Sequence, residues 1–400
     1  MIRTWSPSNA DEAAACVAQA LADDLPVELV GTATRRGFGR PVDAAALLDL
    51  SALRGVVAYQ PEELILAVAP ATPMAEIVEL LAQRGQCLAF EPPDFGPLWG
   101  QPPGQGTVGG AMLTGRGGPR RITAGGPRDH CLGVKGVNGF GEAFGAGGRV
   151  VKNVTGFDIT KLVTGSFGTL CVVTELTLKV LPAPPDATTL VILDLSDAAA
   201  VVAMSRGLGC AAQVSSAAHL PAGVSELFGG RAATLLRVEG VRPSVAARIG
   251  HLAELLDGLG EQALLHRDAG AALWGAIGDA SFFAGGARPV WKLSVPPAKG
   301  AALGERLARE LAGRCFYDWG GGAVWLETSD APDAHAGHVR RVLQEVAGGD
   351  GHATLMRAAP DIRASVAPFQ PSSPGVAALT ERVRRQFDPQ GLFNPGRMHA

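Results

Sequence analysis

The residues best suited to chemistry in this chain are glycines, hydroxyl residues and arginines gathered into three short runs. The first is GTATRRGFGRP, from Gly31 to Pro41. The second is PGQGTVGGAMLTGRGGPRR, from Pro103 to Arg121. The third is KNVTGFDITKLVTGSFGTLCVVTELTLKVLP, from Lys152 to Pro182. Glycine-rich loops let a backbone approach a flat, phosphate-bearing ligand closely, because no side chain intervenes and the amides turn inward. A bound dinucleotide is the first expectation.

The spacing Gly104-x-Gly106-x-x-Gly109, with Asp129 about twenty residues further on, matches a nicotinamide-binding fingerprint only in its letters. That fingerprint needs a hydrophobic strand directly before the first glycine and a helix opening at the last. Here the preceding residues read EPPDFGPLWGQPP, and so proline-rich a run is no central strand. The Rossmann reading fails on context.

The rest of the chain must position these loops. Its 400 residues, 47% apolar and only 18% charged, are enough for more than one well-buried core. The 53 glycines and 28 prolines follow no period, which excludes collagen-like and disordered classes. A net charge of −3 leaves no basic footprint for nucleic acid. The pairs Arg340/Arg341 and Arg384/Arg385 read as solvated surface; Arg35/Arg36 and Arg120/Arg121 sit inside glycine loops, where a phosphate partner competes with a surface role. Cys16, Cys87, Cys131, Cys171, Cys210 and Cys315 show no CxxC and no Cys/His cluster, so neither a self-contained iron–sulfur or zinc site, nor any other metal site, nor a disulfide framework is expected. The opening MIRTWSPSNADE has no signal-peptide pattern and no 18-residue apolar span occurs. A cytoplasmic location is expected, with peripheral attachment to the inner membrane through partners left open.

Periodicity supplies the elements. Asn9 or Ser8 caps a helix over Asp11 to Leu21, and Val27 to Val30 is a strand running into the first loop. Strands Gly55 to Gln60 and Leu64 to Ala69 precede a helix with Thr72 as N-cap and Pro73 at its first position. Arg128 and Asp129 read as an internal ion pair. Asn138-Gly139 reads as a two-residue hairpin turn. Asp158 and Lys161, three apart on a helix over Phe157 to Val163, can meet on one face. After Pro182-Ala183-Pro184-Pro185 come two β-α-β-β-α-β series: strand Thr188 to Asp194 through strand Gln262 to Leu265, then strand Val290 to Val295 through strand His352 to Met356. A last helix covers Pro374 to Phe387, followed by FDPQGLFNPGRM.

The three glycine runs together resemble the FAD-binding domain of the vanillyl-alcohol oxidase (PCMH-type) flavoproteins. The Lys-Asn-Val-x-Gly-Phe-Asp-x-x-Lys-Leu run, the Gly-Pro-Arg-Arg and the ending resemble one branch, the smaller FAD-binding subunit of bacterial glycolate oxidase (glycolate dehydrogenase). The resemblance implies an α+β fold: a two-lobed PCMH-type FAD-binding domain over 1–182, an antiparallel-sheet cap of two ferredoxin-like units over 183–373, and a tail, 374–400, that returns to the first domain. It implies non-covalent FAD, since no histidine occupies the first loop. It implies that Gly31, Thr32, Ala33, Thr34 and Arg35, then Thr107, Val108, Gly109, Gly110, Thr114 and Gly115, then Asp158, Lys161, Gly165, Ser166, Gly168 and Val173 hold the cofactor, and that Lys152 and Asn153 are candidates to face the flavin ring. Gly31-Thr32-Ala33-Thr34 departs from the family's common Gly-Gly-Gly-Thr, which puts pose and affinity in question.

A flavin takes two electrons from an α-hydroxy acid when a base removes the hydroxyl proton and a cation orients the carboxylate. The paired-histidine motif of related 2-hydroxy-acid dehydrogenases is absent. The nearest feature is GHATLMR, where alternation puts His352, Thr354 and Met356 on one face and Ala353, Leu355 and Arg357 on the other; His352 and Arg357 are the catalytic candidates. The resemblance further implies a larger FAD subunit and an iron–sulfur subunit as partners in a complex oxidising glycolate to glyoxylate. A stand-alone D-lactate-type dehydrogenase and a non-catalytic assembly subunit are the alternatives.

Overall fold

The computed structural model describes residues 3–148 and 156–398. Asn9 caps helix Ala10–Ala22 by accepting from the Glu12 N–H at 2.9 Å, and Asp11 and Glu12 sit in the first turn where the helix dipole favours them. Its buried stripe of Ala13, Val17 and Ala20 lies on a three-stranded parallel sheet in the order Arg3–Trp5, Ala46–Asp49, Val27–Val30. Two of these strands, Arg3–Trp5 and Ala46–Asp49, are too short to show a period in the sequence.

The second lobe is a five-stranded antiparallel sheet in the order Val56–Gln60, Ile65–Val68, Cys171–Lys179, Cys131–Asn138, Ala143–Gly147. Helix Met74–Ala82 packs Ile77 and Leu81 into its core with Val108 and Met112. Thr72 does not cap that helix. Its hydroxyl donates to the Ala69 carbonyl and accepts from the Gly55 N–H at 2.9 Å, which leaves Pro73 as the N-cap. The hairpin after Asn138 has no two-residue turn either: loop 139–142 closes because Asn138 Oδ1 accepts from the N–H groups of Phe140 and Glu142, each at 3.0 Å. Arg128 and Asp129 are both exposed and do not pair; Asp129 accepts from the Gly126 N–H at 2.8 Å and caps the turn Pro127–His130.

Past the proline linker an eight-stranded antiparallel sheet runs in the order Gln262–His266, Asp186–Leu193, Ala233–Gly240, Ser216–Leu220, Arg314–Asp318, Ala323–Glu327, Val290–Ser294, His352–Arg357. Numbered along the chain, the strands of the first half stand in the order 4-1-3-2 and those of the second in the mirror order 2-3-1-4. The halves meet where His219 pairs with Tyr317. Four helices, Asp197–Leu208, Arg242–Leu255, Gly300–Glu310 and Ala336–Ala347, cover one face through two apolar cores. The other face looks toward the first two lobes. There Val191, Leu235, Phe316, Trp325 and Met356 pack with Phe38, Phe95, Leu98 and Phe167 from the loops and with Trp274 of a further helix, Arg267–Gly278. Each fully buried large apolar side chain contributes roughly 1.5–3 kcal/mol.

Polar ties fix the sheet against the glycine loops. Trp99 Nε1 donates to the Met356 carbonyl at 2.6 Å and Trp319 Nε1 to that of Gly118 at 3.1 Å. Arg120 donates Nε to Glu239 at 2.9 Å, and Arg237 pairs with Glu91 at 2.8 Å. The Arg120 half of the Arg120/Arg121 pair is thus an internal clasp. Helix Pro374–Phe387 brings the tail back, and Leu392 and Phe393 join the core beneath the parallel sheet.

Candidate functional site

Strand Val27–Val30 ends at Gly31, and the chain turns over Thr32 to Arg35. The N–H groups of Gly31, Thr32, Ala33, Thr34 and Arg35 find no acceptor among the described residues. Successive unpaired amides at a sheet edge form a concave receptor for an anion. Thr32 anchors the turn by donating to the Gln105 carbonyl at 2.7 Å. Ala33 lies at φ +58, in the left-handed region that glycine enters at no steric cost.

The second loop lines the opposite wall. Its amides do not face a ligand, contrary to the role the sequence suggests for them. The N–H groups of Val108, Gly109 and Gly110 donate to Thr72 O, Pro70 O and Thr107 Oγ1 at 3.0, 2.8 and 3.2 Å. What this segment offers is bare backbone: a Cβ on Gly109 would stand 2.8 Å from Pro70, and one on Gly110 would stand 3.2 Å from the Arg35 guanidinium. Val108 faces inward to the core behind it.

Arg35 reaches across between these walls. Its Nη2 donates to Pro93 O at 3.2 Å, while Nε and Nη1 are buried with no partner. Burial pulls the guanidinium down to about 10, against the opposing pull of Asp94 and Asp279. Arg36 instead pairs with Glu28 at 2.7 Å.

The tail completes the site, and here sequence reasoning gave no assignment. Asn394, at φ +44 and buried, accepts from the Leu29 N–H with Oδ1 and donates Nδ2 to the Phe167 carbonyl, both at 2.8 Å. Arg397 donates to the Arg40 carbonyl at 3.0 Å. The only sequence sign is the Asn394-Pro395-Gly396 turn.

The segments so placed line one cleft that is open to solvent. Of the expected cofactor residues it gathers Gly31, Thr32, Ala33, Thr34, Arg35, Thr107, Gly109, Gly110, Thr114, Gly168 and Val173, and it adds Arg36, Phe167, Asn394 and Arg397. Asp158 and Lys161 are not among its walls. Lys161 Nζ pairs with Asp158 at 2.8 Å on an exposed turn, and Asp158 Oδ1 caps helix Ile159–Val163. Gly165 and Ser166 turn toward a separate groove beside the C-terminal helix. Lys152 and Asn153 lie outside the described residues.

Beyond Gly115 lies a second cavity, open to solvent on one side, between the end of the second loop and the cap sheet. Phe38, Phe167 and Phe369, with successive centroids 4.9 Å apart, form an aromatic wall between it and the first cleft. His352 stands at its mouth, with Thr354 on the same strand and Lys292 and Ser294 on the neighbouring one. Arg357 does not reach it. A bulge pairs Val290 with Arg357 but Trp291 with Leu355, and the guanidinium turns to Glu327 at 2.9 Å and to the carbonyls of Arg288, Leu98 and Phe283. With its nitrogens engaged in this way, Arg357 is a structural clasp and not a substrate partner.

Unpaired loop amides, a buried arginine with idle donors and an adjoining aromatic wall suit a diphosphate carrying a flat heteroaromatic ring, and with the two lobes and cap they define a flavoprotein. Residues 3–147 match the family model described as FAD binding domain. Over 389 residues the chain is 31% identical to the glycolate oxidase subunit GlcE of Escherichia coli (strain K12), covering 96% of this chain and 95% of that one. It therefore belongs to the family of that subunit, and its cofactor is FAD. A D-lactate dehydrogenase of Anaerostipes hadrus is 29% identical over 186 residues, 46% of this chain and 37% of that one. The 4-ethylphenol oxidase of Gulosibacter chungangensis shares the fold, with a TM-score of 0.73 at 15% identity over 99% of this chain and 88% of that one. The fold and cofactor expected from the glycine runs are borne out.

Proposed function

We propose that the chain is the FAD-binding subunit of a complex that oxidises glycolate to glyoxylate, with electrons passing to an iron–sulfur partner beside a larger FAD subunit. The observation that carries this reading is the 31% identity, over 96% of the chain, to a glycolate oxidase subunit, joined to a cleft whose donors fit the cofactor. Residues 1–182 hold the flavin, 183–373 cap it, and 374–400 lock the first loop through Asn394. Among the described residues no helix is long and apolar enough to cross a membrane. Membrane association, where it occurs, runs through the partners.

When bound, FAD supplies the two-electron acceptor. The chain supplies position and exclusion of water. The amides of Gly31 to Arg35 and the idle nitrogens of Arg35 hold the diphosphate, non-covalently, since the loop carries no histidine. The bare backbone of Gly109 and Gly110 lets the second loop close against Pro70 and Arg35 and so shapes the cleft wall, and Phe38 and Phe167 keep the inner end dry. Isolated gently, the chain carries stoichiometric FAD that denaturation releases, and glycolate reduces an artificial acceptor only when the partner subunits are added. A colourless chain that takes up no added FAD overturns the reading.

A further inference from the structure

The second cavity has an electrostatic character that the flavin cleft does not account for. Lys292 Nζ lies 4.1 Å from the ring centroid of Trp319 and 4.8 Å from that of Trp325, on a residue only 6% exposed, with no ion-pair or hydrogen-bond partner among the described residues. Arg116 is equally unserved: its Nε is buried without a partner, and its guanidinium rests 5.1 Å from the Phe38 ring. Arg121, at the exposed mouth, stacks 5.2 Å from Trp319 and pairs with no carboxylate among the described residues. Three cations, two from the second glycine run and one from the cap sheet, thus converge on one cavity that also presents the Ser294 and Thr354 side chains. Buried cations without anions are costly, and an anionic ligand removes the cost.

We propose that Arg116, Arg121 and Lys292 form a carboxylate cage between the glycine loop and the cap sheet, and that it holds a small 2-hydroxy monocarboxylate with its hydroxyl toward Ser294 and Thr354. The substrate class rests on the function proposed above; the anion site itself does not. The groups facing Lys292 are Asp318 from the next strand but one, Arg116 and Arg121 from the loop side, and His352 at the cavity mouth. Asp318 makes no ion pair with Lys292 within 4 Å; burial pushes its carboxyl up, while Lys292 and the Trp319 N–H that its Oδ1 accepts at 2.7 Å oppose the rise. Burial, with Arg116 beside it, holds the Lys292 ammonium far below the ordinary lysine range. A bound carboxylate favours the charged ammonium, so binding takes up a proton near neutral pH and weakens as pH rises.

Trp319 and Trp325 report on the cage, so the test needs no turnover. The full chain, its flavin content measured separately, is titrated with glycolate, acetate, ethylene glycol and inorganic phosphate while tryptophan emission is followed from pH 6 to pH 9. Saturable quenching by glycolate, weaker by acetate and absent with ethylene glycol, supports the cage. Lys292→Met then weakens glycolate at least tenfold and flattens the pH dependence, and Arg121→Gln, at the exposed mouth where folding is not at stake, weakens it several-fold. Absence of glycolate binding to a flavin-loaded chain, equal binding of phosphate, or an unchanged response in both variants overturns the cage while leaving the FAD assignment standing. A chain that binds glycolate but no flavin overturns the function and leaves the cage.

Discussion

Arg35 donates one nitrogen to the Pro93 carbonyl at 3.2 Å and holds its other two, Nε and Nη1, buried beside the cleft between the glycine loops with nothing to bond. A charged donor left idle under burial is tolerated when a ligand later engages it, and charge-assisted hydrogen bonds contribute roughly 1.5–3 kcal/mol each. Arg35→Met therefore weakens FAD binding about tenfold to a hundredfold. The same substitution raises the melting temperature of the flavin-free chain, because it removes a buried cation whose desolvation outweighs the pull of Asp94 and Asp279. Flavin titration and thermal unfolding of the stripped protein check both signs; lower apo stability with unchanged FAD affinity marks Arg35 as structural.

Ala33 occupies a left-handed backbone position, φ +58, in the turn whose amides have no acceptor among the described residues and are proposed to hold the diphosphate. A Cβ there costs roughly 1–2 kcal/mol, partly offset by the freedom that glycine gives the unfolded chain. Ala33→Gly is expected to gain about 0.5–1 kcal/mol of stability and to hold FAD at least as tightly. Ala33→Val pulls the turn out of that region and loses flavin. Melting temperature and the FAD dissociation constant of the two variants decide it.

Asn394 ties together three segments distant in sequence: its own tail, the end of the first strand at Leu29 and the glycine turn at Phe167. Asn394→Ala leaves a buried N–H and a buried carbonyl unpaired, at about 1–3 kcal/mol each, and abolishes an amide suited to the left-handed conformation. The expected result is a loss of roughly 2–4 kcal/mol in unfolding free energy together with loss of flavin on gel filtration. A normal flavin content at lowered stability would separate the tail from the cofactor site.

Much of the architecture was legible because the cap strands alternate or run apolar between clear turns. Val290–Ser294 and His352–Arg357 agree to within a residue with the strands the pattern predicts. Helix Arg267–Gly278 was missed because Gly270, Gly275 and Gly278 interrupt its apolar stripe; two of them are small for a reason, Gly278 lying against Pro119 and Gly270 against Thr189. The cleft was half legible. Glycines mark where backbone approaches a ligand, but not which amides are already spent, so Val108 to Gly110 looked like donors until Thr72, Pro70 and Thr107 were seen to accept from them. Asp158 and Lys161 matched the family pattern and yet pair with one another on the surface. Lys292, Asn394 and the true role of Arg357 depend on contacts between segments far apart in the chain, which no local pattern carries.

The pH dependence of stability has a definite source in Asp279, at the end of the helix that faces the loops. Burial pushes its carboxyl from the ordinary 3.8 up to about 7; the nearby Asp94 charge adds to the rise, while the Asp94 N–H, donated at 2.7 Å, and Arg35 oppose it. The folded chain therefore holds this proton over a range in which the unfolded chain has released it. The stabilising contribution is fully present below the unfolded value and is lost as pH rises through the folded one, because folding must then bury a charge. Asp279→Asn keeps an oxygen for the Asp94 N–H and removes the charge. Its stability advantage over the parent is expected to widen as pH rises toward about 7 and to stay level above it, at about 2 kcal/mol once partial solvent access is allowed for. Urea unfolding at pH 5, 6, 7 and 8.5 measures that gap; a gap independent of pH would show that Asp279 is ionised throughout and that burial does not govern it.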